Sequence, residues 1–583
     1  MHNKEWTIMI YMAGDNNLAV DMAYAMDQIK GIAAEGVDSP NLFVYYDGNS
    51  PAIPTLYCDF SEPRRPRYVR SYKVPKKLCD VPKKENENAA DRRSILNFVD
   101  WCLNKVEVES NGEISYGRRA NRYALIFSGH SLGFQDIGLF KDESSGKSMK
   151  MNDFYDVLRS LVSTERQLKK AAKENGVEEE FWERETTELV GQKLDILGFD
   201  SCVMGMLEVG YQFYDVAKTM ISSEGSVPSA GWTYAKILGC LGREDTRNLE
   251  TEKVAELFVK KFIRSQDDFT VGGVSVDMAA WKMDRIDNLA RAFDKLAWVL
   301  VQCFDDEGSR LYRQMERLIL QVHWKCQSYM YDQNVDLGDF CELLEGECGL
   351  VADELGDGDD LKPLRTVQKE CRKVLEELQQ AVILSGFSGG GYQYSNGVSV
   401  FFPWSREGYE VSKKNYESLW FSKDVERNQL PWTKFLKKYL YEVSVRRCEE
   451  LVDSVAPGGK VRYRSGVPFD EWAAPALSTG NGSLKGKIAG QEGSKIAGQE
   501  GSKIAGQEGS KIAGQEGSKI AGQEGSKIAG QEGSKIAGQE GSKLAGGGSS
   551  AFFNSLRLFK NIESRWDISG FTKKPEEHHS AAN

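Results

Sequence analysis

The stretch Leu194–Phe213, LDILGFDSCVMGMLEVGYQF, decides the fold class of this chain. Its first part is a short apolar run that is typical of a buried strand, and its last part has the apolar spacing of a helix. Between them lies a polar turn that contains Asp200, Ser201 and Cys202. A strand that leads through a polar loop into a helix is the repeating unit of α/β folds, whose chemistry sits beyond the carboxyl ends of the strands.

The same alternation of apolar runs and amphipathic stretches recurs along residues 1–448. It predicts a layered α/β fold with a mainly parallel sheet. The runs that predict strands are Thr7–Met12, Leu42–Tyr46, Tyr123–Phe127, Leu194–Phe199, Thr219–Ser222, Gly273–Val276 and Val398–Phe402. Amphipathic spacing predicts helices near 18–34, 90–106, 152–162, 203–216, 251–267, 284–304, 363–384 and 430–446.

The composition excludes several classes of partner. The 583 residues carry 75 basic and 86 acidic side chains, which gives a formal net charge of −11. An acidic surface disfavours nucleic acid or an anionic membrane as the main partner. The apolar runs are far shorter than the roughly 20 residues that span a bilayer, and the amino terminus has no signal-peptide pattern. We therefore expect a cytoplasmic protein that acts away from membranes.

The cysteines and histidines limit which kinds of site and catalytic mechanism are possible. The eleven cysteines are scattered and form no CxxC pair, which disfavours both a disulfide framework and a tetrahedral zinc site. Most of the thiols are expected to be small buried groups. The histidines number only five and are His2, His130, His323, His578 and His579. Any mechanism that needs a histidine therefore has few candidates.

Two strand ends carry residues that suit nucleophilic catalysis. The run Tyr123–Phe127 leads into Ser128-Gly129-His130, and the run Leu194–Phe199 leads into Asp200-Ser201-Cys202. A thiol needs a base, or a positive environment, to become a thiolate. The predicted helix start beside Cys202 would favour the thiolate through its dipole. If the two loops meet at one sheet edge, Cys202 is the candidate nucleophile and His130 the candidate general base and acid.

A second interpretation of the same region stays open. Residues Gly129–Gly133, GHSLG, match the G-x-S-x-G nucleophile elbow, in which Ser131 would be the nucleophile of a serine hydrolase. That elbow needs a strand, a sharp turn and then a helix, whereas the residues that follow have no helical spacing. The later histidine that the triad needs would be His323, His578 or His579, and none of these follows a predicted strand.

A tandem repeat separates the end of the chain from its folded part. The octapeptide KIAGQEGS occurs seven times from Lys487 to Ser542, and a degenerate copy follows to Ser550. One Ile in eight residues cannot offset the entropy of ordering the backbone, so residues 487–550 are predicted to be a disordered, flexible tether. Residues 449–486, rich in Gly, Ser and Pro, are interpreted as a linker between the folded part and the tether.

The segment 551–583 is predicted to be an amphipathic helix followed by a tail. Its apolar residues recur at helical spacing, at Phe552, Leu556, Phe559, Ile562 and Trp566. Such a helix either docks back onto the folded part or binds a partner protein through residues 551–566. A third interpretation of the whole chain follows, in which a non-catalytic scaffold presents this tethered helix.

Several motifs together resemble the clostripain family of cysteine peptidases, which belongs to the caspase-like clan. They are WTIMIYMAGDNNLAVDM at 6–22, the His-containing strand end at 124–134, LDILGFDSCVMGMLEVGYQF at 194–213, SSEGSVPSAGWTY at 222–234, VDLGDF at 335–340, NGVSVFFPW at 396–404 and the aromatic end at 432–440. The resemblance covers roughly residues 5–445. It implies a caspase-like α/β/α sandwich for the domain 1–448.

The resemblance also implies roles for individual residues. Cys202 matches the family's nucleophile and His130 its catalytic histidine, in an enzyme that cleaves peptide bonds after Arg or Lys. Asp200 matches the acid at the base of the pocket for that basic side chain, where a carboxylate can pair bidentately with a guanidinium. The backbone N–H groups of Cys202 and Ser131 would hold the oxyanion. Ser131 stands where the family typically has Gly.

Family members are often made as zymogens and cut themselves between the catalytic histidine and cysteine. In this chain that interval contains a charged insertion at 163–193, whose solvated basic residues suit processing. Candidate processing sites are Lys147, Lys150, Arg166, Lys169, Lys170, Lys173 and Arg184. The resemblance makes calcium a candidate cofactor. The acidic run 353–360 lacks the ligand spacing of an EF-hand loop, so no metal-binding residue is predicted.

Overall fold

The computed structural model describes residues 4–33, 40–49, 55–61, 67–70, 86–104, 107–108, 114–115, 120–136, 139–164, 189–241, 248–266, 275–307, 309–329, 333–355, 358, 362–423 and 431–443. In chain order the strands are β1 Lys4–Gly14, β2 Asn41–Gly48, β3 Leu56–Asp59, β4 Arg67–Arg70, β5 Glu107–Val108, β6 Ile114–Ser115, β7 Ala120–Ser128, β8 Leu194–Asp200, β9 Ala217–Ser222, β10 Val276–Lys282, β11 Ser328–Tyr329, β12 Asn334–Asp336, β13 Val382–Ser388 and β14 Ser399–Phe401.

The α-helices pack around these strands. They are Ala19–Ala33, Arg92–Asn104, Met151–Val162, Leu207–Phe213, Tyr234–Leu238, Thr251–Ser265, Ile286–Gln302, Arg310–Lys325, Leu337–Leu355, Lys362–Ala381, Arg406–Tyr416, Trp420–Lys423 and Pro431–Lys437. Short 3-10 turns lie at Met283–Arg285 and Gly390–Tyr392, and a π-helical turn spans Lys438–Val443. Among the helices that the structure describes, none combines the length and the apolarity needed to cross a membrane.

Nine strands form the main sheet, in the order β13-β10-β9-β8-β7-β1-β2-β3-β4. The five central strands, from β9 to β2, are mutually parallel, and antiparallel strands complete both edges. Parallel strands are covered on both faces, which explains why β1 and β8 are continuous apolar runs rather than alternating ones. A three-stranded sheet of β11, β12 and β14 lies beside the main sheet.

Helices cover both faces of the main sheet, as its side-chain alternation requires. Ile8, Ile10 and Met12 of β1 face one apolar core, which the helices Ala19–Ala33 and Thr251–Ser265 close. The intervening residues, such as Met9 and Tyr11, face a larger core that most of the other helices close. The result is the expected α/β/α sandwich with a mainly parallel sheet, so the predicted caspase-like fold class is confirmed.

Some element boundaries differ from the prediction. The helix predicted over 203–216 begins only at Leu207 and ends at Phe213, because the preceding residues bond to a neighbouring loop. The strand predicted at Gly273–Val276 is β10, which begins where that run ends and continues to Lys282. The rest of this strand was not predicted because Asp277, a buried carboxylate, interrupts the apolar run.

Other elements were absent from the prediction or assigned differently. The end of the helix predicted over 363–384 is instead the start of β13, because Val382–Ser388 pairs antiparallel with β10 at the sheet edge. No glycine or proline marks that change in the sequence. The short edge strands β3 and β4 and the helices Arg310–Lys325, Leu337–Leu355 and Arg406–Tyr416 were not predicted.

Several predicted segments lie outside the described residues. They are most of the charged insertion (165–188), the linker 449–486, the repeats 487–550 and the terminal segment 551–583. The division of the chain into a domain 1–448, a linker, a tether and a terminal helix therefore stays a prediction.

One helix–sheet contact gives a direct test of the packing. Gly210 lies on the helix Leu207–Phe213 where a Cβ atom would come within 2.5 Å of the Trp281 ring of β10. We expect Gly210→Ala to lower the free energy of unfolding by about 1–3 kcal/mol, because the buried indole cannot yield. Urea-induced unfolding followed by tryptophan fluorescence measures the change.

Gly346→Ala is the matched control for that substitution. Gly346 lies within the helix Leu337–Leu355 and is exposed, and a methyl group added there would meet no atom within 4 Å. Its replacement is expected to stabilise the protein by up to about 1 kcal/mol through helix propensity. Equal effects of the two substitutions would contradict the packing described for Gly210.

Candidate active site

The loops that follow β7 and β8 lie side by side at the carboxyl edge of the sheet. Ser128 at the end of β7 is in parallel register with Asp200 at the end of β8. The N–H of Gly129 donates to the Asp200 carbonyl at 3.3 Å, and the Ser131 hydroxyl donates to the Cys202 carbonyl. The sheet thus brings the histidine loop and the cysteine loop together, as the sequence predicted.

Cys202 is partly exposed, whereas the other eight cysteines of the described part are buried. The backbone N–H of Val227 points at its sulfur, with N and Sγ 3.3 Å apart. After Cys202 the chain runs along residues 223–225, where Val203 and Gly205 donate to the carbonyls of Gly225 and Ser223 at 2.8 and 2.7 Å. This path holds Val203 at a φ of +61°, a conformation that costs a non-glycine residue about 1–3 kcal/mol.

The electrostatic environment of Cys202 differs from the sequence prediction. The nearest helix begins at Leu207, so no helix dipole acts at the sulfur as expected. Burial raises the pKa of the Cys202 thiol, and Asp200 and Asp277 add to the rise, while the N–H of Val227 opposes it. The resting cysteine is therefore a neutral thiol at neutral pH.

His130 is half-buried and contacts Asn17 of the loop after β1. Its Nε2 lies 2.6 Å from the Asn17 side-chain oxygen. An amide oxygen can only accept, so this contact places the hydrogen on Nε2 and leaves Nδ1 as the basic nitrogen. Burial lowers the pKa of His130 and Lys141 lowers it further, while Glu143 acts in the opposite direction. The resting histidine is therefore neutral.

Asn17 is a site residue that the sequence analysis did not identify. The motif GDNNL at 14–18 was noted only as part of the family resemblance. Asn16 supports the same loop, because its side-chain amide donates to the carbonyls of Ala13 and Lys141 at 3.0 and 2.8 Å. The signal that could have revealed Asn17 is its position directly after a strand that neighbours β7 in the sheet.

Asp200 is buried directly beneath the cysteine loop. Its Oδ2 accepts hydrogen bonds from the hydroxyls of Ser128 and Tyr234, both at 2.9 Å. Its Oδ1 has no hydrogen-bond partner among the described residues. Gly231 has a φ of +68°, and a Cβ atom there would lie 2.5 Å from Oδ2. One carboxylate oxygen is thus anchored and the other remains able to accept a charged donor.

Burial raises the pKa of Asp200 to about 6, although interactions with the Tyr234 and Ser128 hydroxyls and with the Trp232 backbone oppose the rise. The carboxyl group therefore changes its charge close to neutrality. A carboxylate between a strand and a helix often caps the helix. Asp200 does not have that role, because the cap position of the next helix is Met206.

A set of buried carboxylates supports the loop 223–227, which packs against the Cys202 thiol. Asp277 of β10 accepts the backbone N–H groups of Glu224 and Gly225 at 2.6 and 2.9 Å. Glu224 accepts the N–H of Gly397 at 2.8 Å, and the N–H of Ser399 donates to the Gly205 carbonyl at 2.8 Å. The cysteine loop is therefore held by segments from distant parts of the chain.

The geometry around Ser131 bears on the serine-hydrolase interpretation. Ser131 is buried and its hydroxyl is engaged with the Cys202 carbonyl. In the described residues that follow, the first helix begins only at Met151, so the strand–turn–helix elbow is absent there. The ring of His323 stacks between the rings of Phe402 and Trp404, and its centroid is 3.9 Å from each of theirs. That interpretation gains no support.

The backbone at Ser131 is also compatible with donation to an oxyanion. Its φ is not positive, so the conformation is one that any residue adopts. The N–H groups of Ser131 and Cys202 have no hydrogen-bond acceptor among the described residues. Both donors are therefore available at the edge where the two loops meet.

Two of the seven candidate processing sites are among the described residues. Lys147 and Lys150 are exposed, the first in a hairpin turn with Asp142 and the second directly before the helix Met151–Val162. The remaining candidates lie outside the described residues, and they are Arg166, Lys169, Lys170, Lys173 and Arg184.

Comparison with known proteins gives matches to the clostripain family and to one of its members. The sequence profile of the clostripain family matches residues 10–439. Clostripain from Hathewaya histolytica is 24% identical over an alignment of 339 positions, and the match covers 51% of this chain and 56% of that protein. The chain thus spans little more than half the length of this relative.

The solved structures similar to this chain include two C11 proteases. One is an inactive zymogen C11 protease from Parabacteroides distasonis, with 18% identity, a TM-score of 0.43, and coverage of 73% of this chain and 99% of that chain. The other is a secreted C11 cysteine protease from Bacteroides thetaiotaomicron in complex with an irreversible peptide inhibitor. It has 15% identity, a TM-score of 0.44, and coverage of 72% and 99%.

Alkylation of the native protein tests the state of the thiol. We expect iodoacetamide to label Cys202 before the buried cysteines such as Cys303, and to label it slowly at neutral pH because the thiolate is the reactive form. Because burial raises its pKa, the labelling rate should keep increasing with pH beyond 9. Peptide mapping by mass spectrometry measures the rate for each cysteine. A rate that is already constant between pH 6 and 8 would show a preformed thiolate and contradict this assignment.

Proposed function

The chain belongs to the clostripain family of cysteine peptidases, and on that premise we propose that it is a cysteine endopeptidase that cleaves after Arg or Lys. One observation carries the proposal. His130 and Cys202 each lie two residues beyond register-matched positions of neighbouring parallel strands. A nucleophile and a base placed on adjacent loops at one sheet edge can act on the same carbonyl group.

In the first step the Cys202 sulfur attacks the carbonyl carbon of the scissile peptide bond. Nδ1 of His130 takes the thiol proton, and Asn17 holds the ring through Nε2. The backbone N–H groups of Ser131 and Cys202 donate to the oxyanion. A neutral thiol beside a neutral imidazole suits this order, since the proton needs to move only when a substrate is bound.

Collapse of the tetrahedral intermediate breaks the C–N bond. The imidazolium returns its proton to the leaving amine, and the acyl group remains on Cys202 as a thioester. Water, deprotonated by His130, then attacks the thioester and releases the new carboxyl terminus. The proton finally returns to the sulfur, which regenerates the thiol.

Asp200 is proposed to bind the basic side chain of the substrate. Its Oδ1 is buried and lacks a partner among the described residues, whereas Oδ2 is fixed by two hydroxyls. A guanidinium that reaches Oδ1 would gain a charge-assisted hydrogen bond in a site shielded from water. Arg is favoured over Lys because its donors form a planar fork.

We further propose that the protein is made as a zymogen and cut between His130 and Cys202. Lys147 and Lys150 are exposed basic residues in that interval. The charged insertion supplies the other candidate sites. A trypsin-like preference would let one molecule cleave another at any of these residues.

Loss of the nucleophile tests activity and processing together. Full-length wild type is expected to hydrolyse Arg-terminated fluorogenic peptides and to fragment within residues 140–193. Cys202→Ala and His130→Ala are each expected to reduce turnover by ~10³-fold or more and to leave the chain intact. Turnover is followed by fluorescence and fragmentation by intact mass, with and without calcium.

Two further variants are controls for that experiment. Cys303→Ala removes a buried thiol at the end of the helix Ile286–Gln302 and should keep normal turnover. Ser131→Ala removes one hydrogen bond but keeps the backbone donor, so its turnover should fall by no more than about tenfold. Ester or peptide turnover that survives Cys202→Ala but not Ser131→Ala would replace the cysteine mechanism with the serine one.

The pKa of Asp200 predicts how specificity depends on pH. The carboxyl group is neutral below its pKa of about 6 and charged above it. The ratio of kcat/KM for a substrate with Arg at P1 to that for citrulline, its uncharged analogue, should therefore rise by ~10–100-fold as pH increases through 6. Taking the ratio cancels the titration of Cys202 and His130, which affects both substrates equally.

Asp200→Asn should make this ratio small and independent of pH. Asp195→Asn is the matched control, because Asp195 is a buried aspartate of the same strand that pairs with Lys218 away from the loops. If Asp200→Asn keeps the full preference for Arg, another residue binds the basic side chain.

A further inference from the structure

Three motifs of the sequence meet beside the loop 223–227, and the proposed mechanism leaves the acidic residues of this meeting point without a role. Glu224 comes from the first motif, Asp336 from the second, and Asn396 and Gly397 from the third. Both acidic side chains are fully buried, and they contact each other. Their charge therefore has to be balanced within the protein.

The loop 223–227 is held by its backbone. Four successive N–H groups, those of residues 224–227, donate to side chains. The first two donate to Asp277, and the third donates to the Tyr392 hydroxyl at 3.3 Å. The fourth points at the Cys202 sulfur, with N and Sγ 3.3 Å apart. The position of this loop therefore decides how its last N–H group meets the thiol.

The two buried acids differ in the donors that they receive. Glu224 Oε2 accepts the N–H of Gly397 at 2.8 Å, whereas Oε1 has no donor among the described residues. Asp336 accepts the backbone N–H and the side-chain amide of Asn396 at 2.5 and 2.9 Å, and the backbone N–H of Asp339 at 2.7 Å. N–H donors stabilise a carboxylate, so Asp336 is the better site for a negative charge and Glu224 for a proton.

The contact between these two acids requires such a proton. Two carboxylates within hydrogen-bond distance in the interior do not both ionise. Burial raises the pKa of Glu224 well above its ordinary value, and the charges of Asp336 and Asp277 add to the rise. Burial also raises the pKa of Asp336 to about 7, and Asp339 adds to this rise while Glu224 opposes it. The charged groups that act on the pair are thus acidic themselves.

We propose that Glu224 is a positioning residue for Cys202 and that it acts as a neutral acid. Its protonated carboxyl group donates a hydrogen bond to Asp336, so the pair shares one proton and carries one negative charge. This bond ties the loop 223–227 to the end of β12, and the loop directs the Val227 N–H at the thiol. The consequence for catalysis rests on the proposed function, whereas the shared proton does not.

The shared proton makes the attachment of the loop depend on pH. The other titratable groups around the pair and the loop are Asp277, Asp339, Tyr329 and Tyr392. All four are acids, so none of them can neutralise the charge that appears when the proton leaves. Because folding raises the pKa of Glu224, the stability that this proton contributes is full below the unfolded pKa of about 4.3 and declines as the pH rises toward the folded pKa.

Replacing each acid by its amide distinguishes a protonated carboxyl group from a carboxylate. Glu224→Gln keeps a donor for Asp336 and an acceptor for the Gly397 N–H, so Tm at pH 8 should stay within about 2 °C of the parent value. Asp277→Asn is the matched control. Burial raises the pKa of Asp277 to about 7, so it is mainly ionised at pH 8, and it accepts two backbone N–H groups where an amide has one acceptor.

Asp277→Asn should therefore lower Tm by about 5 °C or more. All chains in this comparison are full length and carry Cys202→Ala, which prevents them from cutting themselves. Thermal unfolding followed by tryptophan fluorescence measures both substitutions.

Infrared difference spectroscopy detects the shared proton in the same chains. A protonated carboxyl group has a C=O stretching band that a carboxylate lacks. The spectrum of the parent chain minus that of Glu224→Gln should contain this band at pH 8. The spectrum of the parent minus that of Asp277→Asn should show mainly the loss of a carboxylate.

The labelling rate of Cys202 tests the positioning role. It is measured by iodoacetamide and peptide mapping on full-length chains that carry His130→Ala, which keep the thiol and do not cut themselves. Glu224→Ala frees the loop from Asp336 and should raise the rate at Cys202 by about threefold or more, whereas Glu224→Gln should stay within about twofold of the parent. Cys303 is the internal reference, because its buried thiol reports general unfolding.

Three results would overturn the proposal. The first is a loss of Tm in Glu224→Gln as large as that in Asp277→Asn, and the second is a difference spectrum without the acid band. The third is a Glu224→Ala chain whose labelling at Cys202 is unchanged or rises only in step with Cys303, which would show a general structural role. If all the expected effects are found and the wild-type chain hydrolyses no peptide, only the proposed function is contradicted.

Discussion

The parallel pairing of β7 with β8 is the constraint on which the rest of the site depends. From Tyr123 to Ser128 and from Leu194 to Asp200 the two strands are buried on both faces, so a substrate cannot reach side chains along these segments. The first positions where a reactive side chain can meet solvent lie just past Ser128 and Asp200, which the register holds opposite each other. His130 and Cys202 occupy those positions. The neighbouring strand β1 ends at the same edge, and it brings Asn17 there for the same reason.

The edge of this sheet is strongly acidic beneath its surface. Asp200, Asp277 and Glu224 are buried around the cysteine loop, and two of them contribute to the raised pKa of the Cys202 thiol. Such an environment disfavours a permanent ion pair between a Cys202 thiolate and a His130 imidazolium. It favours the arrival of positive charge, such as a guanidinium at Asp200. The same electrostatic bias thus accounts for a neutral resting nucleophile and for the proposed preference for basic substrates.

Local patterns in the sequence were sufficient to predict the central parallel strands and the two loops that carry His130 and Cys202. The apolar runs before His130 and Cys202 are continuous, and central parallel strands have this pattern. Local patterns do not identify a side chain that acts through a partner distant in sequence. Asn17 has no local pattern that distinguishes it from ordinary loop residues, and only the folded sheet places it at His130. The predicted start of the helix after Cys202 was wrong, because Val203 and Gly205 bond to residues 223–225 and the helix begins only at Leu207.

The contact between Gly205 and Ser399 also sets an order of events during synthesis. The two residues are 194 positions apart, and ribosomes add roughly 5–20 residues per second. Ser399 is therefore synthesised on the order of 10–40 s after Gly205, when the central parallel strands have already been made. A nascent or prematurely ended chain would carry both reactive residues on a formed sheet and still lack a braced cysteine loop. The fold itself delays the completion of the site until nearly the whole domain exists.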